Sequence, residues 1–348
     1  AAGRVVGLLS LRDLLSGPAA DALALDDRLS AARSPRELAA ARAALPPLVG
    51  ALRADGVAAR EIAAVISVDL RELLARAAAQ AEQRMAGRGD GRPPVPYALL
   101  ALDRLGRGEC LLAAEHAHAL VYASGAPDGA EAAWFAAFGA ALRDVLAEAG
   151  ARGADDAPAA DHPAWCRSLD GWRAALQAWA TAPDANAAAF LDFTFAHGDG
   201  ELADELRDTA VAIAGGGAPL VRALLPLPPP VLDGAPCDLA AALAAYEAAG
   251  RALAVASHTA SRPTAQRLAE AASLTGLSRA TADDLTAAHD RLLELALTRQ
   301  EADLAAGRAP DWVVDPAELD DGARAELARL LDHARGLRDV VRAALALV

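Results

Sequence analysis

Residues 103–109 read Asp-Arg-Leu-Gly-Arg-Gly-Glu and stand between two apolar runs of strand length, Tyr97 to Leu102 and Ala117 to Ala123. These residue types suit a phosphate group. Gly106 and Gly108 let a backbone turn tightly and approach a ligand closely, and Arg107 offers a forked donor that matches phosphate geometry. Arg104 adds a second cation and Glu109 an acidic group. The second run opens with Glu115-His116-Ala117-His118. Residues 115 and 117 sit two apart at a strand start, so their side chains share a face. An Asp-x-Asp at that spacing would clamp Mg²⁺ against a triphosphate. Here Glu115 is the one weak metal ligand, because Ala117 has no ligand atom, and Mg²⁺ is expected only of an active site. An ordinary capped turn accounts for these residues equally well. His116 and His118 place two imidazoles on one strand face, a set that would suit a transition metal together with Cys110 or a distant ligand. Two histidines at a helix–strand junction is the simpler reading.

The elements that must position this stretch are mostly helical. Ser34-Pro35-Arg36-Glu37 is a helix start, with Ser as N-cap, Pro at the first helical position and Glu at the third. Leu38, Leu45, Leu48, Val49 and Leu52 give a loose apolar face, which Pro46-Pro47 should kink or break. Ile62, Val65, Ile66, Leu70, Leu73 and Leu74 recur at i+3/i+4 spacing and predict a helix over 58–86. Residues 87–96 are a Gly/Pro linker. Strand, turn, strand and helix follow to about 150, with Trp134, Phe135, Phe138, Leu142 and Leu146 on one face of the helix. Residues 151–163 predict a loop. From Ala164 onward the pattern reads as helix throughout: Trp165, Trp172 and Trp179, seven apart, form a core stripe, and Asp315-Pro316-Ala317-Glu318 caps the last helix.

Composition sets the outer limits. The chain has 348 residues, enough for two or three domains with buried cores. Hydrophobic residues reach 54% while aromatics are 4%, because much of the apolar content is alanine, which favours helices packed through small residues. All positive charge is arginine, and the formal net charge is −14. A surface this acidic repels a phosphate backbone, so nucleic acid is not an expected partner, although an arginine-lined pocket for one small ligand is compatible with it. Three scattered cysteines, Cys110, Cys166 and Cys237, form no CxxC pair and imply neither a disulfide framework nor a zinc site. No apolar run reaches about 18 residues and no signal-like segment opens the chain, so a cytoplasmic protein without membrane contact is the expectation.

Residues 103–109 and 114–120 together resemble the nucleotidyltransferase-like family that follows paired CBS domains in bacterial signalling proteins and is distantly similar to PII uridylyltransferase. That family reads Gly-Ser-x-Gly-Arg-x-Glu and then Thr-Asp-x-Asp-Asn-Ala-Leu; this chain reads Asp103-Arg104-Leu105-Gly106-Arg107-Gly108-Glu109 and then Ala114-Glu115-His116-Ala117-His118-Ala119-Leu120. The segment "GRVVGLLSLRDLL" (Gly3 to Leu15) resembles the closing strand and helix of a CBS domain. Residues 164–173 and 190–199, Asp238-Leu239, Thr264 to Leu268 and Arg299-Gln300 resemble the family's C-terminal helical domain. The resemblance implies an α+β, predominantly helical fold: the end of a CBS-like domain over 1–17, a helical segment over 18–88, a small nucleotidyltransferase-like α/β domain over 89–160, and a helical substrate-binding domain over 161–348. It implies nucleotide contacts from Arg104, Gly106, Arg107 and Glu109, and substrate contacts from His197, Asp199, Arg251, Arg267 and Arg299. Asp199 serves equally well as a helix N-cap. A CBS-like end without its pair suggests truncation from a longer chain or docking on a second subunit, so a homodimer through the helices of 19–86, or a partner protein, is expected.

The departures from the family pattern fall on its polar site. Asp103-Arg104 replaces Gly-Ser and puts a carboxylate where phosphate should sit. Both positions of the Asp pair differ. The family's Arg after Asp-Phe is Thr194, and its Lys after Asp-Leu is Ala240. The glycine-rich third strand expected near 152–160 is replaced by Gly153-Ala154-Asp155-Asp156-Ala157-Pro158. The apolar framework stands while metal and phosphate ligands are gone. The expectation is a catalytically degenerate regulatory module that binds a ligand or partner, with an active Mg²⁺-dependent enzyme of rearranged site, or a purely structural module, as alternatives.

Overall fold

The computed structural model describes residues 18–113, 116–151, 157–215 and 218–346. The CBS-like reading of 1–17, the Glu115 metal ligand and residues 152–156 lie outside them. The architecture is α+β and predominantly helical, with a small sheet wrapped by helices.

Four helices open the described chain: α1 (Pro18–Ala31), α2 (Pro35–Arg42), α3 (Leu45–Ala54) and α4 (Ala59–Arg88). The Ser34 hydroxyl accepts from the Glu37 N–H, and the Glu37 carboxylate accepts from the Arg33 N–H, so the start of α2 is capped as the residue pattern requires. Pro46 and Pro47 occupy the first turn of α3, where a missing N–H costs nothing. Helix α4 buries Ile62, Ile66, Leu70, Leu73 and Leu74 and forms the spine on which α1, α2 and α3 pack.

The sheet is built from β1 (Tyr97–Ala101), β2 (His118–Tyr122), β3 (Cys166–Ser168) and β4 (Thr194–Gly198), in the order β3-β2-β1-β4. Strand β1 runs antiparallel to both β2 and β4, and β3 runs parallel to β2. Every residue of β1 and β2 is buried, so both read as continuous apolar runs without alternation. Helix α6 (Ala130–Glu148) covers one face through Phe135 and Phe138, whose rings pack on Tyr97 and Tyr122 at 4.8–5.4 Å.

The reading of helix throughout beyond Ala164 is corrected here. Residues 166–168 and 194–198 are strands that complete the sheet. Helices α7 (Leu169–Thr181) and α8 (Ala185–Phe190) lie between them. Short edge strands of three to five residues carry too few positions for a period of two to show in sequence. The tryptophan stripe is core, as expected. Trp172 stacks on Phe190 at 4.1 Å and its indole N–H donates to the Leu120 carbonyl, tying α7 to β2.

The C-terminal half adds α9 (Gly200–Gly215), α10 (Ala218–Ala223), α11 (Leu239–Ala256), α12 (Thr264–Leu274), α13 (Arg279–Ala305), α14 (Asp321–Arg335) and α15 (Leu337–Ala344). A two-stranded ribbon, β5 (Cys237–Asp238) with β6 (Val313–Val314), precedes α11 and follows α13. Helix α11 is the centre of this bundle and touches α12, α13, α14 and α15. It is long and apolar enough to cross a membrane by length and composition, but its apolarity is used here in packing against those neighbours.

Candidate functional site

The turn after β1 is a five-residue helix, α5 (Asp103–Arg107). Asp103 enters it at φ 51° and Gly108 leaves it at φ 78°, both left-handed. Aspartate tolerates that region better than most side chains, and glycine adopts it freely. Gly106 is required for a different reason. A Cβ there would lie 2.2 Å from the Asp192 carbonyl oxygen and 2.7 Å from that of Ala101, so only a hydrogen fits between the turn and the segment before β4. The Gly106 carbonyl also accepts from the Thr194 hydroxyl at 2.8 Å. Gly106, read from sequence as a nucleotide contact, therefore serves the close approach of two backbones.

That approach drives Arg107 inward. Its side chain is 0% exposed and meets four carboxylates: Nε donates to Glu109 at 2.8 Å, Nη1 to Asp103 at 2.9 Å and to Asp192 at 2.5 Å, and Nη2 lies 2.8 Å from Glu247. Asp192 is the centre of the network. Besides Arg107 it accepts from Arg251 Nη2 at 2.6 Å and Arg267 Nη1 at 2.6 Å, and it too is fully buried. Burial alone would raise its pKa, but Arg251, Arg267 and Arg107 hold the carboxyl far below the usual range. Glu109 behaves likewise: burial pushes up, Arg107 outweighs it, and the result is a lowered pKa. Its oxygens also accept from the Thr264 N–H at 2.5 Å and hydroxyl at 3.1 Å. Arg107 and Glu109, expected to face a nucleotide, are thus sealed in an ion-pair core.

Arg104 stays at the edge of this core. Its Nε donates to Glu247 at 3.0 Å, its Nη2 to the Ala240 carbonyl at 2.9 Å, and its guanidinium lies 4.5 Å above the Trp312 ring. Outside it opens a cleft of about 550 Å³ between the 102–105 turn, Ala117, Pro158 and the β5–β6 ribbon. The lining is one arginine, three carboxylates (Asp103, Asp238 and Asp311) and an apolar remainder. Asp238 is engaged as the N-cap of α11, accepting from the Ala240 and Ala241 N–H groups. Cys110 lies behind this wall with its thiol pushed up to about 12 by burial, so it offers no thiolate.

The other residues singled out in the sequence are dispersed. His197 contacts Glu82 at 3.2 Å, and Asp199 caps α9 through the Glu201 and Leu202 N–H groups; both lie toward the Tyr97 end of β1, opposite the turn. Arg251 and Arg267 join the Asp192 network. Arg299 does not. It pairs with Asp303 and Glu318 along a second cleft of about 680 Å³ between α13 and α14. His116 and His118 are buried and neutral, His116 being pushed down to about 3 by burial, Arg42 and His118. Among the described residues they do not gather with Cys110 into a three-ligand set.

A turn gripped by buried carboxylates from a second helical unit, beside an open cleft, is the layout of two joined domains. Residues 43–186 match the family model described as putative nucleotidyltransferase DUF294, and residues 237–345 match the one described as putative nucleotidyltransferase substrate binding domain. The two matched segments follow one another along the chain. No curated protein matches it at a significant level. The ion-pair core is the junction of the DUF294 domain with its C-terminal domain: Arg104, Arg107 and Glu109 come from the first, and Glu247, Arg251, Thr264 and Arg267 from the second. Loop 110–113 is held from the same side, because the Ala113 N–H donates to Gln300 and its carbonyl accepts from the Trp312 indole. Ala117 is buried and has no ligand atom, and Glu115 lies outside the described residues.

Asp192, Glu247, Trp312 and His289 were not singled out as site residues from the sequence. Glu247 and Arg251 had a readable signal, being a lone charged pair four apart in an alanine-rich helix, where burial requires a partner. Asp192 had only the Asp-Phe match that precedes Thr194, and nothing local named its partners, which lie 59 to 85 positions away.

Proposed function

We propose that this chain is a nucleotidyltransferase-like regulatory module of a CBS-type signalling protein, degenerate in catalysis, that acts by binding a ligand or partner at the cleft beside Trp312. The observation that supports it most is the fate of Arg107. This arginine, whose fork would suit phosphate, is fully buried among Asp103, Glu109, Asp192 and Glu247. Drawing it out would strip a counter-charge from Glu109, Asp192 and Glu247 in the interior, which is far costlier than leaving a phosphate in water. The cleft keeps volume in the range of small-molecule sites, an aromatic face and, among the described residues, one cation in Arg104. An open cleft beside a turn whose Arg107 is already neutralised by protein carboxylates favours binding over turnover. It also favours binding over a purely structural role, since a closed module would have filled the cleft.

The test has two arms. Purified chain with each nucleoside triphosphate and Mg²⁺ or Mn²⁺ should transfer nothing to protein or small-molecule acceptors; turnover that disappears in Glu115→Ala would establish an active, rearranged enzyme instead. In the second arm a thermal-shift screen of nucleotides and metabolites should find a ligand that raises the melting temperature. At about 100 times its dissociation constant such a ligand adds roughly 2.7 kcal/mol. Arg104→Met should remove the shift, and a shift that survives it would place the ligand elsewhere.

A further inference from the structure

Three side chains meet at the innermost point of the domain junction: Glu109 from the turn after α5, Glu247 from α11 and His289 from α13. One ligand atom of each lies within 4.8 Å of the other two. His289 is 1% exposed, and neither ring nitrogen has a hydrogen-bond partner. A buried imidazole with no hydrogen bond on either nitrogen is costly in a folded protein, and here, unlike at His116, two carboxylates stand close enough to share a metal ion with it.

We propose that this pocket takes a divalent transition-metal ion, Zn²⁺ foremost, bound by Glu109, Glu247 and His289. Two carboxylate oxygens and one imidazole nitrogen make a three-ligand zinc donor set, with a fourth position for water or the second oxygen of a glutamate. The surrounding charges decide which metal. Arg104 and Arg107 already pair with these glutamates, Arg104 on Glu247 Oε1, and Arg107 on Glu247 Oε2 and Glu109 Oε2. Glu109 Oε2 also accepts from the Thr264 hydroxyl and is spent, but Glu109 Oε1, which takes the Thr264 N–H, and the two Glu247 oxygens each keep a second lone pair. The two arginines also raise the positive potential, and a hard ion such as Mg²⁺ or Ca²⁺, which gains little from an imidazole, would be turned away. A metal that binds nitrogen strongly has the compensation those ions lack. Because the ligands come from both domains, the bound ion would fasten the DUF294 domain to its C-terminal domain. The site is separate from the cleft beside Trp312 and does not depend on what that cleft binds.

The experiment uses the whole chain, stripped with a chelator, desalted, and titrated with ZnCl₂ while metal content and melting temperature are followed; Co²⁺ serves as an absorbing probe of coordination. One Zn²⁺ per chain, a rise in melting temperature, and no response to Mg²⁺ or Ca²⁺ are expected. His289→Gln keeps the size of the side chain and should weaken Zn²⁺ at least about tenfold. His289→Ala should do the same if it folds. Native chain that binds no Zn²⁺ and melts at one temperature with and without chelator would overturn the proposal, as would unchanged affinity in His289→Gln or equal binding of Mg²⁺.

Discussion

Asp192→Asn is the sharpest test of the buried network. The substitution preserves shape and removes one negative charge from the point where Arg107, Arg251 and Arg267 converge. Arg107 keeps Glu109, Asp103 and Glu247, so its charge stays compensated. Arg251 and Arg267 lose the only carboxylate they reach among the described residues, and the new amide presents donors to donors. Removing one partner of a buried pair costs roughly 3–5 kcal/mol, and here one carboxylate serves two otherwise unpaired guanidiniums, so about 5 kcal/mol is expected. That is a large share of the roughly 5–15 kcal/mol that separates a folded domain from its unfolded chain. Urea unfolding followed by circular dichroism at pH 7 should show a clearly lower midpoint for the variant. The pH dependence has a definite sign. The Asp192 carboxyl is held far below its usual range, so its contribution is complete above about pH 4 and is lost only as pH falls through the folded-state value. The gap between native and variant should therefore stay constant from pH 8 to pH 5. A midpoint difference worth less than about 1 kcal/mol would mean that the guanidiniums are solvated, and the case for Arg107 as a structural residue would fall with it.

Two further outcomes follow from the same packing. Gly106→Ala forces a methyl to within 2.2 Å of the Asp192 carbonyl, and backbone cannot yield there without opening the sheet edge, so a loss of roughly 3 kcal/mol or more is expected in the same urea assay. Asp69, 5% exposed on α4 with one carboxyl oxygen unpartnered, is raised to about 7 by burial and by Asp26. The folded chain thus holds a proton that the unfolded chain releases, and stability declines as pH rises from about 4 to about 7 and then levels. Asp69→Asn should raise the melting temperature at pH 8 and leave it unchanged near pH 4; an equal effect at both would show that the carboxyl is not titrating against burial.

Much of the helical framework was legible because it depends on neighbours three and four residues away. The i+3/i+4 stripe of 62–74 and the Ser34-Pro35-Arg36-Glu37 cap each carry their own instruction and fold as written, while the tryptophans seven apart are core as expected but only Trp172 and Trp179 share a helix. Strands β3 and β4 escaped detection because three- and five-residue edges gain their pairing from β1 and β2, not from a local pattern. The candidate site divides in the same way. Gly106, Arg107 and Glu109 are visible as a turn that could hold phosphate, and nothing within seven residues says that it faces inward.

By itself the sequence determined much of the helical framework, the existence of a turn at 103–109 and the lack of a ligand atom at Ala117. Only the tertiary structure decided where the charges of that turn are spent. Asp192 and Glu247 reach Arg107, and Arg251 and Arg267 reach Asp192, from helices and loops far along the chain, and a charge in a protein interior is fixed by whichever opposite charge can be brought beside it. That partner is a property of the packed domains, and no local stretch of residues encodes it.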